Sequence, residues 1–230
     1  MSLYLIPTFL SENTNVLSTD VLDKVKLMNE FIVENEKSAR HFLKSINTEI
    51  PQNKLIFHLL NEHSTVGEIS ILLEIIKQKK DIGLLSEAGC PAIADPGAAL
   101  VKHAHENNIQ VIPLTGSSSI LLALMASGLN GQSFVFHGYL PRESSQRKTK
   151  ISAIEKDALK KDQTQIFIET PYRNQQLLND ILKICSDTTL LCIACNLTSI
   201  EEYIYTQSIL KWKKQIPDIN KKPSVFLIGR

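Results

Sequence analysis

Two short segments of this 230-residue chain combine glycine with serine in a way that suits ligand binding. Residues 86–97 read SEAGCPAIADPG, and residues 115–119 read TGSSS. Glycine permits tight turns and proline stiffens them, so such loops can present backbone N–H and C=O groups to a ligand. Serine hydroxyls and N–H groups at a helix start can hold a carboxylate or a phosphate. The alternatives are a plain strand-to-helix connection for the first segment and an ordinary helix N-cap for the second.

Charged residues follow two apolar runs and also form two basic clusters. Residues 34–37 read ENEK and residues 169–173 read ETPYR, and at a cleft such charges could orient a hydroxyl or a phosphate. Isolated charges of this kind are more often surface ion pairs. Basic residues gather at 142–150 and at 211–222, the second group around the single Trp212. Both clusters suit RNA phosphates, and both are equally typical of a solubilising surface.

Several catalytic and metal-binding patterns are absent from the sequence. It contains neither G-x-G-x-x-G nor G-x-x-x-x-G-K-[ST], the two common nucleotide-binding patterns, and no G-x-S-x-G elbow of a hydrolase. Cys192 and Cys195 form a C-x-x-C, but positions three apart in a strand point to opposite faces of a sheet. None of the six histidines has the H-E-x-x-H spacing. We therefore expect no metal site.

Short β-rich runs alternate with helical stretches, which predicts α/β architecture with a parallel sheet covered by helices. Strands are expected near residues 3–7, 54–58, 82–85, 110–113, 134–137, 165–168, 189–194, 203–205 and 224–228. Helices are expected near residues 66–78, 98–107, 117–126, 144–160 and 173–184. Turn composition changes near residue 115, so we expect two domains, 1–116 and 117–230.

Composition indicates an ordinary globular protein, with 43% hydrophobic and 21% charged residues and a net charge of +1. Residues 1–140 carry 10 basic and 14 acidic side chains, whereas residues 141–230 carry 15 and 10. The second part is therefore the better place for a polyanion to bind. No apolar run approaches the roughly 18 residues of a membrane span, and no signal peptide is evident. Four cysteines do not make a disulfide scaffold, so we expect a cytoplasmic protein.

Five motifs are spread along the chain: LYLIPT at 3–8, SEAGCPAIADPGAALV at 86–101, PLTGSSSILLALMASGL at 113–129, FVFHGYLPRESSQR at 134–147 and IFIETPYR at 166–173. Together they resemble the tetrapyrrole methylase superfamily. Within the superfamily the chain is most similar to the bacterial 16S rRNA (cytidine-2′-O)-methyltransferase family. The motifs occur in the family's order and at similar spacing, which makes the resemblance more specific than any one of them.

The resemblance implies a methyltransferase that uses S-adenosylmethionine and releases S-adenosylhomocysteine. It also implies two α/β domains with the cofactor in the cleft between them, a homodimer, and ribosomal RNA or the small ribosomal subunit as partner. The residues expected to contact the cofactor, mostly through backbone, are Pro7, Ser86, Ala88, Gly89, Cys90, Thr115, Gly116, Ser117, Ser118, Gly138, Tyr139, Ile168, Asn196, Leu197 and Pro223.

Catalytic and substrate residues follow from the same comparison of motifs. Glu34 is expected to act as a base or hydrogen-bond acceptor for the attacking hydroxyl, because a ribose hydroxyl is a weak nucleophile. Lys37 is expected beside it, positioning a phosphate. The residues expected to contact RNA are Arg142, Arg147, Lys148 and Arg173.

The sequence departs from the family pattern where the substrate is expected. The first loop, PTFLSENTNVLST, lacks the family's glycine, and Lys37 stands where the family has arginine. Glu143 reverses a charge, and residues 195–199 read CNLTS in place of R-E-L-T-K. Two alternatives therefore stay open: a small-molecule methyltransferase of the tetrapyrrole type, and a non-catalytic homologue that binds RNA or protein.

Overall fold

The computed structural model describes residues 2–78 and 81–230. The chain divides into two compact units, Met1–Ser118 and Ser119–Arg230, and the expected boundary lies just before this division, after residue 116. Each unit is built around one five-stranded sheet. In the described part of the chain, no helix combines the length and apolar character that a membrane span requires.

The first unit is a parallel sheet with helices between its strands. Its elements are β1 (Ser2–Ile6), α1 (Thr19–Lys26), β2 (Glu30–Val33), α2 (Glu36–Ser45), β3 (Ile56–Leu59), α3 (Val66–Gln78), β4 (Asp81–Leu85), α4 (Gly97–Glu106) and β5 (Gln110–Pro113). The strand order is β3-β2-β4-β1-β5, and every pair is parallel. The predicted parallel sheet is confirmed for this unit.

Both faces of this sheet are covered, because alternate residues of a strand point to opposite faces. Along β1, Leu3 belongs to the core formed with α3 and α4, whereas Tyr4 and Ile6 belong to the core formed with α1 and α2. Buried parallel strands of this kind read as near-continuous apolar runs. This is why β1 and β4 were recognisable from the sequence.

Helices α1 and α2 were missed by the sequence analysis, although each begins at a recognisable N-cap. The Ser18 hydroxyl accepts a hydrogen bond from the N–H of Val21, and the Asn35 side chain accepts bonds from the N–H groups of Lys37 and Ser38. Serine and asparagine are favoured at this position because they satisfy N–H groups that have no helical partner.

The second unit contains a mixed sheet. Its elements are α5 (Ser119–Ser127), β6 (Phe134–Tyr139), α6 (Ser144–Lys161), β7 (Thr164–Ile168), α7 (Asn174–Ile184), β8 (Leu190–Cys195), β9 (Tyr203–Ser208), α8 (Ile209–Lys214) and β10 (Ser224–Gly229). The order is β6-β7-β10-β8-β9. Only β6 and β7 pair in parallel, since β10 runs antiparallel to both neighbours and β9 antiparallel to β8.

The core of the second unit lies between its sheet and helices α6, α7 and α8. Phe167 of β7 stacks on Phe226 of β10, with ring centroids 5.8 Å apart. Trp212 of α8 is fully buried, and its indole N–H donates to the carbonyl of Leu191 at 2.9 Å. The other face of the sheet packs against α5. Cys192 and Cys195 are buried, unpaired thiols of β8, so they serve as small core residues.

Candidate active site

The first unit brings three predicted cofactor segments to one edge of its sheet. Strands β4, β1 and β5 are neighbours and run in the same direction, so their carboxyl ends lie side by side. Pro7 follows β1, Ser86 follows β4, and Thr115 comes shortly after β5. The carboxyl ends of parallel strands are where open α/β sheets bind ligands.

Hydrogen bonds join these segments directly. The Thr8 N–H donates to the carbonyl of Gly89 at 2.9 Å, and the Thr8 hydroxyl contacts the carbonyl of Ser86 at 3.2 Å. The Ser86 hydroxyl donates to the Gly89 carbonyl at 2.5 Å. The Cys90 thiol lies 3.5 Å from the carbonyl of Ser117, and burial raises its pKa. The loop after β4 is therefore bonded to the end of β1 and to the turn after β5.

Two glycines allow this close approach. A Cβ atom on Gly116 would lie 2.2 and 2.3 Å from side-chain carbons of Pro7. Gly89 has φ of +73°, and a Cβ atom there would lie 3.2 Å from the carbonyl of Ser117. Only glycine fits both positions without strain. Ala88 and Thr115 stand exposed beside them. The edge thus presents backbone groups on glycine-rich turns, which fits a cofactor held through N–H and C=O groups.

The second unit gathers the other predicted cofactor residues at one edge of its own sheet. Gly138 and Tyr139 end β6, Ile168 ends β7, Asn196 follows β8, and Pro223 precedes the antiparallel β10. The Asn196 N–H donates to the Pro223 carbonyl at 2.9 Å, and Tyr139 is paired with Ile168. Leu197 is buried next to Asn196.

Glu34 stands at the carboxyl end of β2, beside β4, and faces other acidic groups. The pKa of Glu34 is raised to about 8, first by burial, then by a hydrogen bond to the Asp95 carboxyl group and by the negative charges of Asp95, Glu87 and Glu62. A carboxyl group in this position is largely protonated at neutral pH and becomes a base as the pH rises through about 8. Such a pKa near the working pH is what general base catalysis favours.

Asp95 was not singled out from the sequence, although it lies in the D-P-G of the quoted loop motif. Its Oδ1 accepts hydrogen bonds from the N–H groups of Gly97 at 2.7 Å and Ala92 at 3.2 Å. The same side chain bonds to Glu34. Asp95 thus ties the loop after β4 to the predicted base.

Lys37 lies in the first turn of α2, three residues beyond Glu34, with an exposed side chain. Its backbone N–H donates to the Asn35 side chain at 2.9 Å. Its expected contact with a phosphate stays a prediction.

The predicted role of Arg147 as an RNA contact is corrected by its burial. Its side chain is only 3% exposed, and its Nε and Nη2 atoms donate to one carboxylate oxygen of Asp180 at 2.8 and 2.6 Å. Its Nη1 donates to the carbonyl of Arg142 at 2.7 Å. A guanidinium group that is buried to this extent and paired with a carboxylate is not accessible to a phosphate at the surface. Arg147 therefore stabilises the start of α6 against α7.

The remaining predicted RNA contacts are more accessible. Arg142 and Lys148 are exposed near the start of α6. Arg173 is partly exposed, and its Nη2 atom pairs with the buried carboxylate of Glu169. Glu143, whose charge departs from the family pattern, is the N-cap of α6, and its bonds to the Ser145 hydroxyl and to the N–H groups that follow lower its pKa to about 2. Among the described residues, no group of three or more metal-binding side chains is present.

Sequence comparison places the chain among methyltransferases. No protein family model matches it. It is 30% identical over 229 residues to ribosomal RNA small subunit methyltransferase I of Buchnera aphidicola, covering 98% of this chain and 77% of that protein. It is 32% identical over 227 residues to the protein of the same name from Streptococcus pyogenes serotype M3, covering 99% and 75%. The chain belongs to the ribosomal RNA small subunit methyltransferase I family. The family resemblance and the methyltransferase assignment are confirmed.

Solved structures support the fold. The methyltransferase CobJ matches with a TM-score of 0.65 at 14% identity, covering 100% of this chain and 94% of that one. Uroporphyrin-III C-methyltransferase from Thermus thermophilus, solved in complex with S-adenosylhomocysteine, matches with a TM-score of 0.61 at 12% identity, covering 100% and 98%. At these identities the likeness concerns the fold alone. The predicted α/β fold of the tetrapyrrole methylase type is confirmed.

Proposed function

We propose that this protein transfers a methyl group from S-adenosylmethionine to RNA of the small ribosomal subunit, at a ribose 2′-hydroxyl. S-adenosylmethionine is the methyl donor, as expected for a member of this family. The single observation that carries the RNA substrate is the identity of 30–32% to small-subunit rRNA methyltransferases along nearly the whole chain. A cytoplasmic location and a homodimer are the accompanying predictions.

The tetrapyrrole alternative has less support. Proteins named for tetrapyrrole substrates resemble this chain at only 12–14% identity, where likeness speaks for the fold. The excess of basic residues in 141–230 also favours a polyanionic substrate over a small acidic molecule. Exposed Arg142 and Lys148 and half-buried Arg173 are the proposed phosphate contacts in the second unit.

The proposed cofactor residues divide between the two sheets. In the first unit they are the segments around Pro7, 86–90 and 115–118, which the hydrogen bonds of Thr8, Ser86 and Cys90 hold together. In the second unit they are the strand ends around 138–139, 168, 196–197 and 223. The cofactor supplies an activated methyl group, and the protein supplies position and electrostatics.

Glu34 is the proposed proton acceptor for the ribose hydroxyl. When its carboxyl group is ionised it accepts the hydroxyl hydrogen, which raises the nucleophilicity of the oxygen during in-line attack. Asp95 is hydrogen-bonded to the Glu34 carboxyl group. Alignment of the nucleophile with the methyl group can lower the barrier by roughly 7–11 kcal/mol. Lys37, at the start of α2, is the proposed phosphate contact beside this group.

Cofactor binding and methyl transfer can be tested one after the other. Calorimetric titration with S-adenosylmethionine and S-adenosylhomocysteine should show one site per chain. Labelled methyl groups should then transfer to small ribosomal subunits that lack the modification, and nuclease digestion should recover the label on a ribose 2′-oxygen. Cofactor binding without transfer to these subunits, together with transfer to a tetrapyrrole, would contradict the proposed substrate.

Substitution of Gly116 tests the cofactor edge. We expect Gly116→Ala to weaken S-adenosylmethionine binding about tenfold or more, because a Cβ atom 2.2 Å from the Pro7 side chain forces the turn away from β1. Gly67→Ala is the matched control, since its Cβ atom would meet only the Thr65 hydroxyl at 3.7 Å. Calorimetry on both folded variants provides the measurement. Equal affinities would show that this turn does not contact the cofactor.

A further inference from the structure

The second unit carries an open groove that none of the roles described so far uses. It encloses about 610 Å³ between the start of α7 and the loop before β10. Its walls include Tyr172, Gln175, Gln176, Asn179, Asp218 and Asn220. We call it the Tyr172 groove. Tyr172 follows the end of β7, and the loop precedes β10, so the groove lies at the sheet edge that also carries Ile168 and Pro223.

Tyr172 is an exposed aromatic ring held on an ordered turn. It is 77% exposed, although large aromatic side chains are seldom left so open to water. It belongs to the turn Pro171–Arg173, and the Lys221 N–H donates to the Pro171 carbonyl at 3.0 Å. The Lys221 ammonium lies 6.0 Å from the centre of the Tyr172 ring. An aromatic face beside a lysine is what a stacked nucleobase and its phosphate require.

The groove is rimmed by positive charge. The Lys222 ammonium donates to the Asp218 carbonyl at 3.0 Å, and Lys183 and Lys213 line an adjoining hollow that shares Asn179 and Ile216 with the groove. The acidic groups nearby are Asp218 and Asp187, and the second pairs with Lys213 at 2.6 Å. With Lys221, four lysines and two carboxylates lie at or beside the groove, so positive charge is in excess there.

The groove walls also carry amide groups that can form hydrogen bonds with base edges. Gln176 and Asn179 are exposed, while Gln175 uses its Oε1 to accept the N–H of Ile219 at 3.1 Å and leaves its amide nitrogen as a donor. Unpaired bases of single-stranded RNA are recognised by this combination of stacking and amide contacts. A duplex would hide its base faces, so the groove suits an unpaired strand.

We propose that the Tyr172 groove binds a single-stranded segment of RNA, with one base stacked on Tyr172 and phosphates at Lys221 and Lys222. This inference rests on the proposed RNA substrate and extends it to a second contact region, outside the predicted cofactor residues. Its position at the end of β7 and the start of β10 sets it beside the edge where those residues lie in this unit.

Fluorescence anisotropy with a short fluorescein-labelled single-stranded oligoribonucleotide tests the groove. We expect Tyr172→Ala to weaken binding about tenfold, within the range of one base–aromatic stack, and Tyr172→Phe to retain wild-type affinity. Tyr205→Ala is the matched control, because Tyr205 is 60% exposed in β9 and lies outside the groove. Lys221→Gln should lower the dependence of log affinity on log salt by about one unit.

Two further measurements separate this site from the proposed function. All variants should bind S-adenosylmethionine like the wild type in calorimetry, and Tyr172→Ala should raise KM for small ribosomal subunits. If the wild type methylates subunits and Tyr172→Ala changes neither RNA affinity nor KM, the groove does not bind RNA and the proposed function stands. Equal losses of RNA affinity in Tyr172→Ala and Tyr205→Ala would also contradict RNA binding by the groove. If the wild type neither binds RNA nor methylates subunits, both proposals fail.

Discussion

Glu34→Gln is expected to lower methyl transfer to small ribosomal subunits by about 10²–10⁴-fold at high pH, the usual contribution of a general base. Glutamine preserves the size of the side chain but cannot take a proton. Because Glu34 is proposed to act on the substrate hydroxyl, the affinity for S-adenosylmethionine should stay unchanged. Labelled methyl transfer and calorimetry provide the two measurements.

The pH dependence of the methyl-transfer rate gives a second test of the role of Glu34. Burial and the neighbouring Asp95 raise the pKa of Glu34 to about 8, so the wild-type rate should rise with pH and level off above about 8. Below that pH the protonated wild-type side chain resembles glutamine, and the difference between the two proteins should shrink. Asp95→Asn removes one negative charge while keeping the Oδ1 acceptor for Ala92 and Gly97. It should therefore lower the pKa of Glu34 and move the profile to lower pH.

Glu36→Gln is the matched control for Glu34→Gln. Glu36 is an exposed carboxylate two residues away that pairs with Arg40 at 2.6 Å. Its replacement should leave both the rate and the pH profile unchanged. A Glu34→Gln protein that transfers methyl groups at the wild-type rate across the whole pH range would end the proposed role of Glu34.

Arg147→Ala is expected to lower the free energy of unfolding by about 3–5 kcal/mol, the usual cost of breaking a buried ion pair. The substitution leaves the Asp180 carboxylate buried without its main partner. Trp212 is the single tryptophan and lies in the core of the same unit, so urea titration followed by tryptophan fluorescence reports on this unit directly.

Two variants distinguish a structural arginine from an RNA contact. Arg147→Met combined with Asp180→Leu should recover most of the lost stability, because it removes both charges together. Arg142→Ala, an exposed neighbour, should change stability by no more than about 0.5 kcal/mol. An Arg147→Ala protein with unaltered unfolding and weakened RNA binding would instead restore the role first expected from the sequence.

Most regular elements could be predicted from the sequence because their patterns are local. The apolar run of β4, the helical spacing of α3 and the strand β5 lie close to their expected positions. Helices α1 and α2 were missed, since their signals, the N-caps Ser18 and Asn35, are single residues in polar stretches. Strands β9 and β10 were found as strands, but their antiparallel direction could not be predicted, because strand direction depends on which neighbours pair across the sheet.

The family, the fold class and the loops that carry the cofactor motifs can be recognised from the amino-acid sequence alone, because the spacing of glycine, proline and serine is a local property of the chain. The role of each charged side chain depends on the folded structure. Arg142 and Arg147 lie in the same basic segment of the sequence. Arg147 is buried against Asp180, whereas Arg142 is exposed to water. Likewise, burial and then the contact with Asp95, which comes from a distant segment, raise the pKa of Glu34. Burial and charge partners depend on residues far apart in the chain, so only the folded protein reveals them.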